Sequence, residues 1–145
     1  MPIIYLSFPE GTFTQDDLDS LAERITRDAM ELEKLPFDNE WLRSTTLIFA
    51  RAYPQAQVYH GGKPGGNKFI TVDINVIQGG YSATPKKELI KRVTEAIEEH
   101  GDLPKGEPRR VYVFIREVAE ANLGFDGENI DLEVLRDPPA DLTPL

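Results

Sequence analysis

One order of elements is written twice along this chain, and that repetition narrows the possible folds more than composition does. In the first copy, Pro2-Ile3-Ile4-Tyr5-Leu6-Ser7-Phe8 reads as a strand and Glu10-Gly11 as a turn. Thr14-Gln15-Asp16-Asp17 predicts a helix start, with Thr14 as the cap and acids in the first turn. Leu18, Leu21, Ala22, Ile25, Ala29 and Leu32 recur at helical spacing, and Pro36 ends the helix. A second strand is expected from about Ser44 to Ala50, with Leu47 and Phe49 on one face and Thr46, Ile48 and Ala50 on the other.

The second copy runs in the same order. Phe69 to Val76 reads as a strand, Gln78-Gly79-Gly80 as a turn, and Thr84 as a cap with Pro85 just inside the helix. Leu89, Ile90, Val93, Ala96 and Ile97 give the apolar stripe, Gly101 and Pro104 close it, and Arg110 to Arg116 makes the fourth long strand.

Each copy is a β-α-β unit, whose crossover is right-handed. Two units side by side predict an α+β, two-layer fold: a four-stranded mixed sheet with both helices on one face. Residues 1–145 then form one domain, with pseudo-repeats at 2–54 and 68–127, a Gly- and Pro-rich connection from Tyr53 to Asn67, and a tail at 128–145. Pro138, Pro139 and Pro144 argue against a regular element in that tail. The helix-free face of the sheet is expected to present Thr46, Ile48, Tyr112 and Phe114, an apolar surface best covered by self-association into a closed ring.

A formal net charge of −9 argues against a nucleic-acid partner, which needs clustered Lys and Arg to displace counterions. With no cysteine, thiol nucleophiles, disulfides and zinc-thiolate sites are excluded. No apolar run approaches the ~20 residues that span a bilayer, and the N-terminus lacks the regions of a signal peptide, so a cytoplasmic protein without a membrane partner is expected. Gly61-Gly62-Lys63-Pro64-Gly65-Gly66 lacks the ending of a phosphate loop and no helix follows it, so no nucleotide is expected there. No cofactor or metal is predicted.

Pro2 carries the chemistry. If Met1 is removed, as a small residue behind it allows, the strand begins with a free secondary amine. An α-amine titrates near ~7.7–8.0 and burial lowers that value, which poises it for proton transfer. The plainer reading is a proline that only ends a strand. His60 reads as an exposed linker residue, His100 as a helix-terminal cation, and Asp38 and Glu40 as loop charges.

The amino-terminal proline strand, the Glu-Gly or Gly-Gly turn, the capped helix and the second strand, present twice, resemble the tautomerase superfamily of 4-oxalocrotonate tautomerase and macrophage migration inhibitory factor. The resemblance covers about residues 2 to 127. Its clearest motifs are Pro2 through Gly11 and Val113 through Gly127, the latter holding Ile115-Arg116-Glu117-Val118 and Asn122-Leu123-Gly124-Phe125-Asp126-Gly127. It implies a homotrimer with Pro2 at the floor of a pocket completed by a neighbouring chain, where the proline moves a proton between enol and keto forms of a small oxo acid. Some relatives use the proline as an acid in hydration, dehalogenation or decarboxylation.

The sequence departs from that pattern at the family's substrate-gripping arginines. Thr12 and Tyr81 follow the two turns, Thr46 and Tyr112 stand early in the second strand of each unit, and Leu123 replaces the hairpin aromatic. The bidentate clamp on a carboxylate is lost with them. Arg116, which shares a strand face with Tyr112 and Phe114, is the first candidate for a replacement cation, with Tyr112 shaping the pocket; Arg43, Arg51 and Lys68 are further cations. Arg116 paired with an acid at a subunit interface is the structural alternative. The expected activity is a cofactor-independent tautomerase. The alternatives are hydration, dehalogenation or decarboxylation on the same proline, or a non-catalytic oligomeric binding protein.

Overall fold

The computed structural model describes residues 1–65, 69–101, 103 and 110–145. Strand β1 spans Ile3–Pro9, helix α1 Gln15–Glu33, a short helix α2 Glu40–Ser44, and strand β2 Leu47–Tyr53. A single 3-10 turn at Gln55–Gln57 leads into a small hairpin of β3 (Tyr59–His60) and β4 (Lys63–Pro64). The second unit follows as β5 (Ile70–Ile77), α3 (Ala83–His100) and β6 (Val111–Val118). A second 3-10 turn, Glu120–Asn122, precedes the β7–β8 hairpin (Gly124–Phe125 and Glu128–Asn129) and a final short helix, α4 (Leu132–Arg136). Lys68 and Pro104 lie outside the described residues.

The four long strands form one mixed sheet in the order β2-β1-β5-β6. β1 pairs with β2 and β5 with β6 in parallel, and the two units join back to back through the antiparallel pair β1–β5. This is the mixed sheet expected from the duplicated unit. Alternation sends Ile4, Leu6 and Phe8 of β1 and Ile70, Val72, Ile74 and Val76 of β5 beneath α1 and α3. They meet Leu21, Ile25 and Ala29 of α1 and Leu89, Val93, Ala96 and Ile97 of α3, all buried. Each fully buried aliphatic side chain contributes about 1.5–3 kcal/mol, so this layer carries most of the fold's stability.

α1 begins as the sequence predicts. Thr14 accepts from the Asp17 amide and the Asp17 carboxylate accepts from the Thr14 amide, a complete capping box. α3 begins one residue before Thr84, and Ser82, not Thr84, is its cap, so Pro85 sits at the third helical position. Proline has no N–H, and the first turn leaves the N–H of that position unpaired in any case, so nothing is lost there.

The second strand begins three residues later than expected, because Asn39 caps α2 through its side chain on the Leu42 amide and the chain stays helical through Ser44. The face assignment in β2 is also reversed. Leu47 and Phe49 pair across from Ile3 and Tyr5 and point away from the helices, whereas Ile48 packs against the main core. The helix-free face therefore shows Tyr5, Leu47, Phe49, Tyr112 and Phe114, with Tyr5 stacked on Phe49 at 5.3 Å between ring centroids. The expectation for Tyr112 and Phe114 holds, and that for Thr46 and Ile48 does not.

The tail is more ordered than its prolines suggest. Asp131 caps α4 through its side chain on the Val134 amide, and Leu135 and Ile130 are buried. They join Met1, Met30, Leu35, Trp41, Leu42 and Ile77 in a second apolar cluster, separate from the core beneath the sheet. This cluster encloses the amino terminus.

Candidate active site at the amino terminus

The second cluster exists because three chain reversals meet there. α1 ends with Lys34 in the left-handed conformation, φ 62°, its N–H returning to the carbonyls of Met30 and Glu31. The Leu35 amide donates to the Met30 carbonyl at 2.9 Å, which folds Leu35 back beside the last turn of α1. α2 then supplies Trp41 and Leu42, and α4 supplies Leu135. Pro2 is buried where β1 enters this pocket, and its carbonyl accepts from the Leu47 amide at 3.1 Å.

A carboxylate stands inside the apolar wall. Glu33, the last residue of α1, is 1% exposed, and its Oε2 accepts from the Met1 α-amine at 3.1 Å. The Tyr81 hydroxyl donates to the Ala29 carbonyl at 2.7 Å and lies 3.4 Å from the same Oε2. The other carboxylate oxygen, Oε1, has no hydrogen-bond partner, nor does Thr46 Oγ1. Room for the acid comes from the double-glycine turn, since a Cβ on Gly80 would stand 2.6 Å from Glu33 Oε1.

The electrostatics follow from the burial. Desolvation pulls the α-amine below its ordinary value of 8.0, and the charge and hydrogen bond of Glu33 push back only in part. Desolvation, together with the neighbouring Glu33 charge, holds the Tyr81 phenol far above the usual range, so it stays a neutral donor. The Met1 amine is thus held below its ordinary value, beside one acid and one phenol.

The other residues singled out in the sequence lie elsewhere. Arg116 is on the helix-free face, ion-paired to Asp73 and set over the Phe114 ring at 5.7 Å. It is level with Ile3 through Asn75 but two strands away, roughly 10 Å at the spacing of paired strands. Tyr112 is level with Ser7, about 17 Å along the sheet from Pro2 at the rise of a strand. A single protomer therefore does not bring Pro2, Arg116 and Tyr112 together. Arg43 stacks on Phe37 at 4.7 Å, Arg51 is exposed on β2, and His60 lies in the small hairpin against Phe69. Among the described residues there is no cluster of three or more His, Asp or Glu that could hold a metal ion.

Glu33 and the buried role of Tyr81 are not legible in the sequence reading. Glu33 lies beside the polar stripe of α1, and nothing local says that the turn of the other unit will close over it. The faint signal is Gly79-Gly80 itself, two glycines where one would make the turn.

Two β-α-β units joined through an antiparallel pair, with a proline strand at the centre of the sheet, define the fold of the tautomerase superfamily. Residues 71–132, the second unit and its hairpin, match the family model described as tautomerase enzyme. The whole chain is similar in structure to a wild-type fused 4-OT solved as an asymmetric trimer, at 19% identity and TM-score 0.73, covering 88% of this chain and 94% of that one. It is also similar to a native fused 4-OT at 17% identity and TM-score 0.72, covering 88% and 94%. A member of the cis-3-chloroacrylic acid dehalogenase family matches at 17% identity and TM-score 0.72, covering 89% of this chain and 83% of that one. No curated protein matches in sequence.

Proposed function

We propose that this protein is a cofactor-independent tautomerase in which Met1 is removed and the Pro2 amine transfers a proton between the enol and keto forms of a small oxo acid. The amine nitrogen takes the proton of the enol hydroxyl and returns it to the adjacent carbon, so that C–O becomes C=O and C=C gains a C–H bond. The carrying observation is the burial of this end of β1 in an apolar pocket, which disfavours a charged amine.

The working form is a cytoplasmic homotrimer closed through the apolar sheet face; the fused 4-OT proteins similar to it in structure are trimers. A neighbouring chain would then offer Arg116 and Tyr112 to the pocket from outside. Arg116 first has to leave Asp73, which makes it a conditional clamp.

A second reading has one observation in its favour. Glu33 at 3.1 Å from the terminal amine favours a protonated amine, the form needed as an acid in hydration, dehalogenation or decarboxylation. Intact mass of protein from its native host establishes whether Met1 is removed. Turnover of phenylenolpyruvate or 2-hydroxymuconate that falls by about 10²-fold or more in Pro2→Ala supports the tautomerase. Turnover of 3-haloacrylate or malonate semialdehyde alone would replace it with the second reading. Activities unchanged in Pro2→Ala, or a retained Met1, would leave an oligomeric binding protein.

A further inference from the structure

The place Met1 fills describes the ligand that belongs there. Its α-amine is a hydrogen-bond donor bound to Glu33 Oε2, and its side chain is an unbranched apolar tail buried in the cluster that holds Met30, Leu35, Trp41 and Leu135. Three covalent bonds separate that donor from the Pro2 nitrogen, a span of at most about 4 Å. Glu33 Oε2 therefore lies within reach of a small functional group held against Pro2. The donor in that position completes only half of the acid, because Oε1 stays unpartnered although the residue is 1% exposed. A second unpartnered oxygen, Thr46 Oγ1, stands next to Leu47, whose amide bonds the Pro2 carbonyl.

We infer that Glu33 is a specificity-determining residue: with Met1 removed, the space it filled takes the uncharged, apolar end of the substrate, and Glu33 accepts a hydrogen bond from a hydroxyl at that end while excluding a second carboxylate. This rests on the reading that Pro2 is exposed by processing. The substrate class narrows to monocarboxylic or uncharged enols with a short apolar tail. The Met1 amine, the ion-pair partner of Glu33, leaves with Met1, so beside an unprotonated Pro2 a carboxylate placed at this end would meet a buried carboxylate, the reverse of an arginine clamp. Gly80 serves the same selectivity, since any side chain there would displace the acid.

Trp41, the only tryptophan in the chain, is buried in the same cluster as Met1 and is the reporter for it. The experiment is a titration of Met1-free protein with hexan-1-ol and with hexanoate, followed by Trp41 emission. Hexan-1-ol should saturate the signal at a concentration roughly tenfold or more below hexanoate, and Glu33→Gln should bring the two within about threefold, because an amide also donates to a carboxylate. Protein that retains Met1 should respond to neither. Equal or tighter binding of hexanoate to the unsubstituted protein, or a ratio unchanged in Glu33→Gln, overturns the inference. The ratio in the unsubstituted protein decides the matter even where the variant does not fold. Binding is read without turnover, so an inactive Pro2 would sink the tautomerase and leave this ratio standing, while an active Pro2 with no such ratio would do the opposite.

Discussion

The two helices end at equivalent places with opposite contents. Glu33 and Gly101 each stand nineteen residues beyond the cap of their helix, Thr14 and Ser82, and each lies under the turn of the other unit. At the end of α1 a buried carboxylate meets Tyr81; at the end of α3 a glycine meets Phe13, where an added Cβ would come within 3.0 Å of the ring. The pair Gly101 and Phe13 is an apolar contact with no charge to satisfy. The pair Glu33 and Tyr81 is polar, buried and incompletely bonded, an arrangement that costs stability unless something uses it. The duplicated scaffold is therefore equivalent in its layers and divided at its ends, and the costly end is the one that holds the amino terminus.

The largest expected difference comes from truncation. Tyr81→Ala should lose about 3–5 kcal/mol in urea unfolding, since the ring is 2% exposed in the main core, with Phe13→Ala losing less because Phe13 is only partly buried. Equal losses would mean that the two ends carry equal packing. Tyr81→Phe makes the costly end resemble the plain one and should cost about 1 kcal/mol, the hydroxyl bond to the Ala29 carbonyl being lost.

Titration separates the ends without removing side chains. The folded Met1 amine lies below its ordinary value of 8.0, so the unfolded chain binds that proton more readily than the folded one. Stability of the Met1-bearing chain should rise as pH climbs through the range just below 8.0, and be lost as pH falls through the folded value. Glu33→Gln removes the charge that opposes the depression, and should steepen the rise. A urea midpoint constant over this range in both proteins would contradict the burial of the amine.

The smallest difference is at the caps. Thr14→Ala should cost about 1 kcal/mol through its complete capping box, while Ser82→Ala, whose hydroxyl caps nothing, should stay within about 0.5 kcal/mol. Thermal melts of the two variants would tell them apart.

What could be read from residues alone follows the same division. The strands, the two long helices and the α+β layering were legible because apolar residues repeat at 2.0 and 3.6 and the turns carry glycine. β2 was misphased because both of its faces are apolar: Leu47 and Phe49 look no less core-like than Ile48, and only the register against β1 decides. α2 was missed although Asn39 announces it, its five residues being too few to show a period. Pro2 is visible in the sequence as a candidate amine, whereas Glu33 is not visible as its buried neighbour, since its burial depends on a turn some 47 residues further along the chain.

The strand order has a consequence for how the chain is made. β1 leaves the ribosome before both of its partners yet lies inside the sheet, between β2 and β5. Its parallel partner β2 is complete at Tyr53, but its antiparallel partner β5 only at Ile77, and the cluster that encloses the terminus waits for Leu135. Through much of synthesis one edge of β1 and the pocket at its start therefore stay uncovered, and their closure waits on slow, long-range contacts.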